Sequence, residues 1–176
     1  KVVAGANKFL FNTVNSDSAF VSANGFVMLN ERPDPSTNYP LNISGGSAAL
    51  AAFAADLTDA AGAAEIRYQY VSPEHVFQWS DMRRTGSTGE SISFQIRMNS
   101  TTGEVKYVYG PATAGTSTTV TACGIRSDQS ANPANGTINL ALANPTGNFK
   151  AIYVMNRTTL GAPTSQNWAS TTTGTS

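Results

Sequence analysis

Residues 64–110 read AEIRYQYVSPEHVFQWSDMRRTGSTGESISFQIRMNSTTGEVKYVYG, and the alternation in this stretch decides the class of fold. EIRYQYV alternates polar and apolar residues up to a break at Ser72-Pro73, and HVFQWSDM resumes the pattern. A polar loop, Arg83 to Glu90, leads to SISFQIRM; the turn residues Asn99 to Gly103 then precede EVKYVYG. A period of two, interrupted by Gly, Pro and Asn, is what half-buried antiparallel strands require, because successive side chains point to opposite faces.

On the N-terminal side, KFLF (Lys8 to Phe11) is a short strand candidate. AFVSA and FVMLN flank Asn24-Gly25, a pair suited to the two positive-φ positions of a type I′ hairpin turn. Three prolines between Glu31 and Pro40 mark a loop. Ser47 to Leu57, SAALAAFAADL, has no alternation; its alanines allow a short helix, and a strand is the preferred reading. On the C-terminal side VTACGIR, INLALA and KAIYVMN are strands, and the polar tail from Leu160 reads as loop. About nine or ten strands with almost no helix predict an all-β fold, an antiparallel β-sandwich of jelly-roll or immunoglobulin-like type, in one domain over residues 1–176. A closed barrel is the second choice.

Composition narrows the function classes. Charged residues make up 12% of the 176 residues, and 11 basic residues match 11 acidic ones. Such a surface exerts no long-range pull on nucleic acid or anionic lipid. Ser and Thr, about a fifth of the chain, supply much of the polarity, a pattern associated with secreted and cell-surface proteins. Apolar runs are too short to span a membrane. The single cysteine, Cys123, cannot form an internal disulfide and reads as a small buried hydrophobe, which fits a bacterial surface protein better than a disulfide-rich secreted one. Lys1 opens the sequence without a cleavage-site pattern, so the expectation is a processed chain or a fragment of a larger surface protein.

Few residues suggest chemistry. His75 is the only histidine, follows Pro73-Glu74 at a turn, and reads as an exposed strand-start residue. Asp56, Asp59, Glu65, Glu74, Asp81, Glu90 and Glu104 are the candidate carboxylates for glycoside hydrolysis, but nothing in their spacing brings two together. Asp56 and Asp59 in DLTD are the metal candidates, with Ca²⁺ the one cofactor the pattern admits. Trp79 shares a face with Phe77 and reads as core. Trp168, in the polar QNWAS, together with Tyr107 and Tyr109, forms the candidate ligand-binding set. Asn42, Asn99, Asn135 and Asn156 start sequons of the kind a chain rich in Asn, Ser and Thr produces by chance.

The order of NGFVMLN, AAFAADL, HVFQWSDM, SISFQIRMNSTTGEVKYVYG and TACGIR resembles β-sandwich modules of secreted and surface proteins of Bacteroidetes, exported with a C-terminal sorting domain as type IX secretion cargo. The resemblance runs from roughly Phe9 to Arg126. It implies a sandwich, export and an accessory role, and it carries no catalytic residues. The functional expectation is a non-catalytic extracellular or cell-surface sandwich serving adhesion, surface structure or fibre assembly, with other copies of itself or surface proteins as partners. A carbohydrate-binding module or lectin, with glycans as ligands, is the alternative.

Overall fold

The structure is a computed structural model that describes residues 1–11, 14–34, 47–117, 121–126, 137–142, 151–155 and 169–172. Among these residues the chain is all-β, with fifteen strands and no helix. Two antiparallel sheets form a β-sandwich. One sheet has the order β1 (Val2–Val3), β4 (Ser18–Ser22), β5 (Phe26–Leu29), β6 (Ala49–Ala54), β12 (Thr121–Arg126), β13 (Thr137–Leu142). The other, of seven strands, runs β15 (Ala169–Thr172), β14 (Ala151–Met155), β11 (Val105–Thr113), β10 (Ser91–Asn99), β9 (Glu74–Arg84). Beyond β9, the last three residues of that long strand pair with β7 (Leu57–Asp59) and its first seven with β8 (Glu65–Val71). A separate ribbon joins β2 (Phe9–Phe11) to β3 (Val14–Ser16). KFLF forms β2 as expected, whereas β1, β7 and the ribbon partner β3 are too short to signal by periodicity, and β15 lies in the tail read as loop. These additions raise the strand number above nine or ten.

The stretch 64–110 forms β8 to β11, each strand paired with the next. Ser72-Pro73, a cis peptide, makes the two-residue connection that sets Val71 opposite Glu74. His75, Phe77 and Trp79 of β9, Phe94, Ile96 and Met98 of β10, and Val105 and Tyr107 of β11 point inward and are buried. They meet Val27, Leu29, Leu50, Ala52, Phe53, Cys123 and Ile125 from the opposite sheet in one core. Trp79 stacks on Phe94 at 5.0 Å and donates its indole N–H to Ser22 O at 2.9 Å, tying the two sheets together. Cys123 is buried as expected, and burial pushes its thiol up to about 11.

Ser47 to Leu57 resolves as strand. Every residue of β6 is buried, and Ala49, Ala51 and Ala54 pack with Phe26 and Met28 in a second apolar cluster. A strand covered on both faces has no polar phase, which is why this segment lacks alternation.

Two local expectations are corrected. Ser22 pairs with Phe26, so three residues turn the β4–β5 hairpin, and among them only Gly25 has positive φ, at 80°. The turn is therefore not type I′. The polar stretch from Arg83 also begins inside β9. Asp81 adopts φ 52°, and the β9–β10 register shifts between Ile92 and Phe94. This bulge inserts one extra residue and flips the phase of the strand, turning Met82 and Arg84 inward. An inward arginine requires an anion, and Glu90 supplies it across the turn, with its side chain 1% exposed against 4% for Arg84.

His75 is likewise not an exposed strand-start residue but 1% exposed. Its Nε2 lies 3.3 Å from Lys8 O, a pure acceptor, so Nε2 donates and Nδ1 accepts from the Tyr68 hydroxyl at 2.9 Å. Phe9 packs on the ring at 4.3 Å. The neutral imidazole thereby pins the β2 ribbon to the sandwich. Burial lowers its pKa from the usual 6.5, although the backbone acceptors pull the other way. The unfolded chain therefore binds more protons than the folded one just below about pH 6.5, and stability falls there as pH falls. A drop in the urea midpoint between pH 7 and about pH 5.5 is expected, flattened in His75→Phe; an equal drop in that variant would assign it to carboxylates.

Candidate functional site

The residues that alternate with the core on β9, β10 and β11 form the outer face of the seven-stranded sheet. Gln78 of β9 donates to Ser80 Oγ at 2.8 Å and accepts from Gln95 Nε2 at 2.7 Å. Gln95 in turn accepts from Arg97 Nε at 2.7 Å. Arg97 stands 3.5 Å from Glu74, which also holds Lys106 at 2.9 Å, and Glu104 lies 3.4 Å from the same ammonium. The hydrogen bond that Lys106 donates to Glu74 is the main cause raising the Lys106 pKa. Two cations and two carboxylates balance, so the row is polar and locally neutral.

A recess of about 240 Å³ opens in this row, lined by Gln78, Trp79, Ser93, Phe94, Gln95, Arg97, Val108 and Gly110. Its position follows from the bulges. Register shifts beside Ser93 occur in both pairings of β10, with β9 and with β11. Gly110 keeps the depression open: a Cβ there would lie 3.3 Å from Ser93 O. Asp81 N donates to Ser93 Oγ at 3.1 Å, so the hydroxyl is held in place. The arrangement offers amide, hydroxyl and guanidinium groups, already aligned, to an uncharged hydrogen-bonding ligand.

The residues singled out from sequence fall elsewhere. Tyr107 is buried and donates its hydroxyl to Gly124 O at 2.6 Å. Tyr109 packs against the same core and donates to Ala52 O. Both hydroxyls are spent on the facing sheet, a structural use in place of the ligand-binding one. Trp168 lies outside the described residues. Asp59 Oδ1 accepts four backbone N–H groups, from Ala61, Gly62, Ala63 and Ala64, at 2.7–3.2 Å. That oxygen organises its own loop, where a calcium ligand was expected. Asp56 is exposed and engages Thr85 N through its backbone carbonyl at 2.8 Å. Among the described residues no three His, Cys, Asp or Glu side chains group as metal ligands do.

Of the candidate carboxylates the structure brings Glu74 and Glu104 together at Lys106, whose ammonium binds both. Glu65 pairs with Arg67 and Glu90 with Arg84, while Asp81 accepts from Ser91 Oγ at 3.1 Å. Sequence reading passed over Gln78, Ser93, Gln95 and Arg97 because the polar phase of a strand normally meets only water. The available signal was the repetition of glutamine at matching positions of adjacent strands, where Gln78 and Gln95 are register partners.

Comparison with known proteins adds one match. The sequence model of a family described as NIDO related aligns with residues 7–172. No curated protein and no solved structure matches the chain. The family is nidogen-like and typically extracellular, in keeping with a secreted β-module. With that span covering nearly all of the sequence and both sheets of the sandwich, the chain belongs to the NIDO-related family.

Proposed function

We propose that this chain is a non-catalytic extracellular adhesion module that holds neutral glycan chains on the outer face of its seven-stranded sheet. The observation that carries this reading is the recess of about 240 Å³ bordered by the Gln78–Gln95–Arg97 hydrogen-bond row. Sugar hydroxyls donate and accept in the same way as the waters they would displace there, and a charge-balanced row suits an uncharged partner. The Bacteroidetes-like wording of residues 9–126 supports an exported bacterial surface protein as the setting. Flanking gene sequence, read for an export signal and a sorting domain, checks that part.

Neutral polysaccharides displayed on an array are expected to retain the protein. Arg97→Ala and Gln95→Ala are each expected to weaken retention about tenfold or more, the equivalent of one hydrogen bond, without lowering Tm by more than a few degrees. Both side chains lie outside the core, so folding does not confound the result. Silence across the array, or retention indifferent to both substitutions, overturns the proposal.

A further inference from the structure

We propose that the start of β8 is a homotypic docking edge, along which a second copy of the chain pairs its own residues 65–67 antiparallel about a local two-fold axis at Ile66. Strand β8 hydrogen-bonds only to β9; among the described residues nothing pairs with its other side. Alternate residues of such a strand turn N–H and C=O groups away from the sheet, where another strand can take them. The seven residues EIRYQYV contain no proline, no glycine and no register shift, so the backbone of this edge is regular and its only guards are the charges of Glu65 and Arg67. The edge also carries apolar surface. Ile66, exposed by 43%, is one of the three large hydrophobic residues exposed among those described.

Self-complementary charge identifies the occupant. Glu65 and Arg67 are the two charges on β8, they flank Ile66, and they share the sheet's outer face. An antiparallel copy centred on Ile66 sets Glu65 of each chain opposite Arg67 of the other, and Ile66 opposite Ile66. Cross-strand neighbours of this kind have Cβ atoms about 5 Å apart, within reach of an ion pair on one face and an apolar contact on the other. Within one copy Glu65 already touches Arg67, but both side chains remain at least half exposed and can take a second partner. A single-strand contact buries far less than a stable dimer interface, so the association is weak and concentration-dependent. Weak pairing suits an adhesion surface on which many copies are held close together.

Sedimentation velocity at low salt, from micromolar to near-millimolar protein, tests this edge. The wild-type chain is expected to shift from monomer toward dimer. Arg67→Glu, which sets acid against acid twice by symmetry, should weaken association about tenfold or more, and Glu65→Arg should do the same. The double swap, Glu65→Arg with Arg67→Glu, restores opposite charges and is expected to recover the wild-type constant to within about threefold. Thermal melts of these surface variants, unchanged from wild type, exclude misfolding. A chain that stays monomeric throughout, a dimer indifferent to the single reversals, or a double swap that fails to rescue overturns the proposal. Glycan retention by the outer-face recess is read separately with Arg97→Ala, so either proposal can fail alone.

Discussion

Gly25→Ala is expected to destabilise the fold by about 3–5 kcal/mol. Two costs add. Gly25 sits at φ 80°, a conformation that charges an L-residue about 1–2 kcal/mol. The added Cβ would also fall 2.1 Å from Phe53 O and 2.8 Å from the carbonyl carbon, inside any allowed contact. Neither atom belongs to a flexible side chain. The hairpin tip lies directly on β6, where Phe53 N donates to Gly25 O and Ala55 N to Asn24 O, each at 3.3 Å. Relief therefore means pulling the β4–β5 hairpin off the central strand that carries the buried alanines. Gly62 and Gly86 are the internal controls. Both have φ 78°, and nothing lies within 4 Å of a Cβ built on either. Alanine at those sites should cost only the backbone share, about 1–2 kcal/mol. Chemical denaturation of the three variants separates the contributions; a Gly25→Ala loss equal to that of Gly62→Ala would show that the close approach to Phe53 is not real.

The second large effect concerns the buried ion pair. Glu90→Ala is expected to cost about 3–5 kcal/mol, because it strands the Arg84 guanidinium without its counter-charge inside the sandwich. The carboxylate accepts from Arg84 Nε at 2.9 Å and from the Arg84 backbone N–H at 2.7 Å. One side chain therefore neutralises the charge and closes the β9–β10 turn together. Replacing both partners, Arg84→Met with Glu90→Leu, should recover most of the loss, since a buried pair often does little better than apolar residues of similar size. A double-mutant cycle from urea melts measures the coupling; a Glu90→Ala loss below about 1 kcal/mol would mean that water reaches the guanidinium.

These two sites mark how far the sequence could be followed. The strands of residues 64–110 were legible because each keeps one face in the core and one outside it, which writes a period of two into the chain. Segment 47–57 was ambiguous for the opposite reason: both its faces are covered, so no polar phase survives. Residues around Arg84 misled because a single bulge at Asp81 inverted the alternation, and polarity then read as loop. The outer-face site was hidden in plain alternation. Gln78, Gln95 and Arg97 occupy ordinary solvent-phase positions, and only strand register brings Gln78 beside Gln95.

The sequence by itself determined that this chain is a sheet protein, which faces of its longer strands are apolar, and that its surface carries little charge. Those properties are local, since they depend on residues two apart in the chain and on composition. Tertiary structure alone decided which polar groups went inside and what they do there. His75 is buried because Lys8 O, just ahead of β2, and the Tyr68 hydroxyl of β8 arrive to satisfy it. Tyr107 is core because Gly124 O waits on the facing sheet, and Arg84 because Glu90 folds back over it. A buried polar group is tolerable only with its partner in place. That partner is fixed by register and sheet packing, over sequence separations that no pattern within a single strand records.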